Sequence, residues 1–142
     1  MRPLLICVGM TILVYAFGQS GTKTKIRFDG FYQTIGEIHK ENDDTSWSYL
    51  RFYPEGRVIG VASDGRANNV KMWFNLEMEY PSIGNYEIHG NRLYFSTKSK
   101  AGSVIYKGKI KDQYHITLKT KSLINGYKGR KKYKFIHIPE FK

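Results

Sequence analysis

The stretch VIYKGKIKDQYHITLKTK, residues 104–121, places a lysine at nearly every second position on either side of a short polar break. Alternation with period two marks a half-buried β-strand, because successive side chains leave a strand on opposite faces. The break is then a hairpin turn, and its length decides which residues meet. With Asp112 and Gln113 alone in the loop, Ile110 would face His115 and Lys107 would face Leu118, apolar against polar throughout. A three-residue loop from Lys111 to Gln113 instead pairs Tyr106 with Leu118 and Gly108 with Ile116, so that partners share a face. Val104, Tyr106, Gly108, Ile110, Ile116 and Leu118 then point inward. Ile105, Lys107, Lys109, His115, Thr117, Lys119 and Lys121 point outward.

The same alternation runs through most of the chain, punctuated by Gly, Asn and Asp, which predicts an all-β sandwich or barrel. Eight strands are expected, near 28–38, 46–53, 57–63, 84–89, 92–98, 103–111, 114–121 and 131–138. In YLRFYPEGRVIG a three-residue Pro54-Glu55-Gly56 loop pairs Phe52 with Val58 and Leu50 with Gly60, with Gly56 suited to a left-handed bulge position. In NYEIHGNRLYF the Gly90-Asn91 turn sets Ile88 against Leu93 and Tyr86 against Phe95. The last strand continues the pattern with Tyr133 and Phe135 inward and Lys132 and Lys134 outward. It also predicts His137 on the inner face, as a hydrogen-bonded interior histidine.

Between the third and fourth strands, SDGRANNVKMWFNLEMEYPSIG is too long for a plain hairpin loop. Val70, Trp73 and Phe74 fall at i, i+3 and i+4 behind Asn68 and Asn69 as candidate caps. That spacing predicts one or two helical turns laid over a barrel mouth and ended by Pro81 and Gly84.

The chain begins with Met1, Arg2 and Pro3, followed by the apolar run LLICVGMTILVYAFG and the small residues Ala16 and Gly18. These are the parts of a secretory signal peptide, and the run is short of the roughly 20 residues a membrane helix needs. Residues 1–18 are therefore expected to be cleaved, residues 19–27 to form a flexible approach, and residues 28–142 to form the domain. The expected destination is the periplasm or the exterior. The single cysteine, Cys7, lies in the leader, so the mature chain holds no disulfide and no thiol nucleophile.

The net charge of +11 is not evenly spread. Residues 19–97 carry nine Lys/Arg against ten Asp/Glu, and residues 98–142 carry thirteen against two. A one-sign region of this kind attracts anionic partners, and export makes nucleic acid an unsuitable one.

Motifs for catalysis are missing: there is no G-x-S-x-G and no phosphate-binding loop between a strand and a helix. The acid pairs Asp43-Asp44 and Glu77/Glu79 read as solvated loop residues. His39, His89, His115 and His137 form no H-x-H or HExxH, so neither a metal site nor a cofactor is expected. What stands out is the lysine face of Lys107, Lys109, Lys119, Lys121, Lys132 and Lys134. It reads either as an anion-binding surface or as the solvated outside of a sheet. In WSYLRFY, Leu50 and Phe52 share one face, while Trp47, Tyr49 and Tyr53 form an outer stripe that is either a docking patch or the bed of the 64–83 segment.

Gly30-Phe31-Tyr32 in the first strand resembles the lipocalin G-x-W, with Tyr32 in the tryptophan's place. YLRFYPEGRV, GNYEIHGNRLYF and YKGKI are similar to the recurring hairpins of small exported bacterial lipocalin-like proteins. The resemblance implies a single eight-stranded antiparallel up-and-down barrel enclosing a small hydrophobic ligand. The residues implied to line the ligand are Tyr32, Leu50, Phe52, Tyr86, Phe95, Tyr106, Leu118 and Phe135. Such a barrel is just wide enough to hold one ligand or to be filled by its own side chains, and inward Gly36, Gly60 and Gly108 would leave room. The alternative is a packed, non-catalytic barrel docking through its basic C-terminal sheet on an anionic envelope glycan, lipid or protein. A monomer is expected in both cases. A membrane-spanning barrel is disfavoured by short strands and by lysines on the face that lipid would touch.

Overall fold

A computed structural model describes residues 26–35, 46–79 and 81–141. The expected leader, Gly36, His39 and the Asp43-Asp44 pair lie outside the described residues. Eight strands form one closed antiparallel barrel in sequence order. They are β1 (Gly30–Thr34), β2 (Trp47–Phe52), β3 (Arg57–Ser63), β4 (Ser82–His89), β5 (Arg92–Ser99), β6 (Gly102–Asp112), β7 (His115–Ser122) and β8 (Lys128–His137). β8 pairs back onto β1, setting Tyr32 against Phe135, so that no sheet edge is left open. Among the described residues no helix is long and apolar enough to cross a membrane.

Turn chemistry sets the first two hairpins as expected. Phe52 faces Val58 and Leu50 faces Gly60, with Gly56 at φ +91°, and Ile88 faces Leu93 and Tyr86 faces Phe95. The β6–β7 hairpin differs from expectation: Gly108 faces Leu118 and Ile110 faces Ile116, a slip of two residues. The turn is Gln113-Tyr114, with the register shifting between Ile110 and Asp112. Asp112 Oδ1 accepts from the Tyr114 backbone N–H at 2.8 Å and lies 3.0 Å from His115 Nδ1, closing the turn one residue later than composition suggests. A slip of two preserves every inside and outside assignment, because the side-chain period is two.

The inner core gathers Ile26, Tyr32, Leu50, Phe52, Val58, Leu93, Phe95, Tyr106, Ile110, Ile116, Leu118, Tyr133 and Phe135. Its rings interlock edge to face, Tyr32–Phe52 at 5.6 Å, Tyr32–Phe135 at 5.2 Å and Phe52–Phe95 at 5.5 Å, and Phe95 stacks on Tyr106 at 4.4 Å. Ile26 is buried, and Arg27 is held by Asp29 and by the rings of Tyr114 and Phe135, so packing begins ahead of β1.

The two described inner glycines differ in the space they leave. A Cβ on Gly60 would meet Leu50 Cδ2 at 3.5 Å and the Tyr106 hydroxyl at 3.6 Å, ordinary contact distances, so Gly60 leaves room for a methyl group and little more. At Gly108 it would run into the Thr117 carbonyl: the glycine lets two backbones approach. His137 departs too. Its side chain is exposed at the strand's end, 3.5 Å from Asp29 Oδ2, and the next residue, Ile138, is the one that buries.

The segment after β3 forms α1 (Ala67–Val70) and a 3-10 turn (Lys71–Trp73). Arg66 is its N-cap residue, so Asn68 and Asn69 lie inside the helix. It does not cover a mouth. It lies against the outside of β1–β3, where Phe31, Tyr49, Ile59, Val70, Phe74 and Ile138 form a second core. Phe74 stacks on Phe31 at 5.0 Å, while Trp73, expected to pack down with it, stays exposed. Tyr49 donates to the Gly65 carbonyl at 2.7 Å and Tyr53 to the Phe74 carbonyl at 3.0 Å. The outer aromatic stripe of β2 is thus the bed of this segment.

Candidate anion-binding face

Among the described residues the strands β5 to β8 carry no such cover, and their register arranges the outward side chains in rows across the sheet. One row runs Tyr94, Lys107, Lys119, Arg130. On one side of it lies Arg92, Lys109, Thr117, Lys132, and on the other Ile105, Lys121, Lys128. Every lysine and arginine in these rows is exposed. Side chains directly opposite on neighbouring strands have Cβ atoms about 4.5–5.5 Å apart, and like charges at that spacing repel. Arg92 against Lys109, Lys107 against Lys119, Lys119 against Arg130 and Lys121 against Lys128 are four such contacts. Among the described residues none of these cations has a carboxylate within ion-pair distance.

Two shallow hollows flank the central row. The first, about 370 Å³, is lined by Arg92, Tyr94, Lys107, Lys109, Thr117, Lys119 and Arg130 with Gly108 as floor. The second, about 520 Å³, is lined by Ile105, Lys107, Lys119, Thr120, Lys121, Lys128, Gly129 and Arg130. Lys107, Lys119 and Arg130 form the wall between them. A charged row with a tyrosine ring and a threonine hydroxyl on one side and an isoleucine on the other can hold anionic groups and rest an apolar ring or chain beside them.

Of the six lysines singled out in the sequence, Lys107, Lys109, Lys119, Lys121 and Lys132 fall in these rows. Lys134 lies one step further, opposite His115. Arg92, Tyr94, Lys128 and Arg130 were not anticipated. The Gly90-Asn91 turn sets the parity of β5 and so marked Arg92 and Tyr94 as outward. Lys128 and Arg130 escaped because β8 begins three residues earlier than its apolar alternation.

The eight residues expected around a ligand do come together inside the barrel. Seven are buried and Tyr86 is partly so, its hydroxyl donating to the Tyr53 carbonyl at 2.6 Å. Burial raises the pKa of Tyr32 to about 12, and its hydroxyl donates to the Gln113 carbonyl at 2.7 Å and accepts from the Arg27 backbone N–H at 3.0 Å. Among the described residues no group of three or more His, Cys, Asp or Glu side chains is placed to hold a metal ion.

The closed eight-stranded antiparallel barrel is compatible with a lipocalin-like fold and with binding a ligand. No family model, no curated protein and no solved structure matches this chain.

Proposed function

We propose that this protein is a non-catalytic binding module that docks on an anionic glycan through the outer face of β5–β8. The observation that carries this reading is the row Lys107–Lys119–Arg130, where like charges face one another across two strand pairs without a carboxylate partner among the described residues. A sheet that needed only solubility would intersperse both signs, since facing like charges destabilise it. A polyanion turns that repulsion into attraction. A glycan is favoured over a lipid surface because the two hollows cross the strands beside Tyr94 and Thr117, which suit a chain of rings and hydroxyls. The expected export agrees with an envelope polymer.

The test is retention on immobilised heparin at rising salt, with Lys107→Glu/Lys119→Glu as the variant. The expected result is elution at clearly lower salt for the variant, as screening requires of contacts between exposed charges. Equal elution of the two proteins would overturn the proposal, and capture by phosphatidylglycerol vesicles without retention on heparin would transfer the face to lipid.

A second reading keeps a guest in the barrel, and two orphaned hydroxyls favour it. Toward the end of the barrel holding Thr34 and Trp47 the inward side chains become polar. There the Oγ1 atoms of Thr97 and Thr120 are buried with no hydrogen-bond partner. The Tyr106 hydroxyl stands beside Thr97 and Ser48 without closing an aligned bond on Thr97. Buried hydroxyls of this kind call for a polar companion, so the guest would be small and polar instead of hydrophobic. Native against denaturing mass spectrometry of gently purified protein tests it. A mass excess lost on denaturation is expected, and a bare native mass would reject a retained guest.

A further inference from the structure

On the opposite side of the barrel, Arg51 presents an electrostatic problem that the fold solves only in part. It projects outward from β2, where its guanidinium lies between two rings, its carbon 3.6 Å from the centroid of Phe141 and 4.6 Å from that of Tyr53. Nη1 donates to the Phe74 carbonyl at 3.2 Å, while Nε is buried with no partner. No carboxylate among the described residues pairs with it, and burial lowers its pKa against the smaller opposing effect of Tyr53. A guanidinium has five donor hydrogens, and the two rings and one carbonyl satisfy its faces and one donor while supplying no anion for its charge. Nη2 and the second hydrogen of Nη1 are the donors left for one.

Arg51 lines an open cleft of about 590 Å³ whose apolar side is Tyr53, Met72, Phe74, Leu76 and Phe141, with Lys71, Asn75, Glu77 and Glu140 as its polar lining. Lys71 and Glu140 neutralise each other at 2.7 Å. Glu77 also lines the cleft and is exposed. The volume lies in the range of small-molecule sites, which run from about 300 to 1,000 Å³ and are mostly apolar with a few placed polar groups.

We propose that this cleft binds a small organic carboxylic acid, its carboxylate on the Nη edge of Arg51 and its apolar body against Met72, Leu76 and Phe74. A planar carboxylate matches the fork of a guanidinium, and the stacked rings already hold that fork in one orientation. The site is separate from the lysine face and does not depend on the function proposed above.

Ligand-observed fluorine NMR with 4-fluorophenylacetate tests it, with 2-(4-fluorophenyl)ethanol as the neutral counterpart. The acid should bind at least about tenfold more tightly than the alcohol, the difference made by a charge-assisted contact. Arg51→Met, which keeps an apolar stem between the rings, should remove that preference. Glu77→Gln, at an exposed position, should strengthen binding of the acid, and Lys107→Glu/Lys119→Glu should leave it unchanged. Equal binding of acid and alcohol, or a preference that survives in folded Arg51→Met, would overturn the proposal. So would loss of binding in the lysine-face variant, because the acid would then sit on the other side of the barrel.

Discussion

The two outer faces of this barrel are made by the same alternation and have opposite fates. Outside β1–β3 the outward residues are Phe31, Tyr49, Arg51, Ile59 and Val61, and the chain between β3 and β4 folds back to cover them. Outside β5–β8 they are mostly lysines and arginines, and among the described residues no such segment returns. A strand's polar-out rule is therefore a rule about solvent, and it lapses where the chain supplies its own second layer. The covered face contributes stability, whereas the open face costs some through repulsion and offers a surface in return.

Phe74→Ala tests the covered face and should produce the largest effect. Phe74 stacks on Phe31 and lies 6.2 Å from Phe141. Its loss should lower stability by about 3 kcal/mol through lost burial and a residual cavity. The midpoint of thermal unfolding should fall by roughly 10 °C. A change as small as an exposed alanine substitution would mean that the 64–79 segment is not seated on the barrel.

Next comes the inner core, through Tyr32→Phe. Removing a hydroxyl that makes two hydrogen bonds should cost about 1–2 kcal/mol at pH 8. The pH dependence has a definite sign. The folded pKa of Tyr32 is pushed up to about 12 from 10, so the native state disfavours the phenolate. That contribution is fully present below pH 10 and is lost as the pH rises toward 12. Urea midpoints at pH 8 and pH 11.5 should therefore differ less in Tyr32→Phe than in the unaltered protein.

The smallest effect belongs to the open face and carries the opposite sign. Lys119→Glu places a carboxylate between Lys107 and Arg130. It should leave stability unchanged or raise it by no more than about 0.5 kcal/mol. In 1 M salt, where charges are screened beyond about 3 Å, the two proteins should unfold at the same urea concentration. A clear loss of stability would mean that Lys119 has a structural partner, and the contrast between the faces would fail.

Much of this was legible in the residues. Pro54-Glu55-Gly56 and Gly90-Asn91 set two registers, because tight turns leave few pairings and only one of them keeps apolar side chains together. The inward identity of Tyr106, Ile110, Ile116 and Leu118 survived a two-residue error in the third register for the same reason. What misled was context beyond the strand. His137 has the parity of Phe135, yet a strand's end meets solvent, and Ile138 beyond it found the outer core. Trp73 and Phe74 have one spacing and similar character, and only the surface they met decided that Phe74 would bury. By parity Arg51 is one more polar outward residue, since nothing local says that Phe141, about ninety residues on, will close on it opposite Tyr53.

Alternation and turn chemistry act between near neighbours, so eight strands, their faces and the concentration of cations in the last third are set by local residue order. Tertiary structure decided closure of β8 on β1, the seat of the 64–79 segment, the rows in which the cations align and the stranded guanidinium of Arg51. Those outcomes depend on contacts between distant segments, where burial and charge are set by whichever surface arrives and not by the residue's own neighbours in the chain.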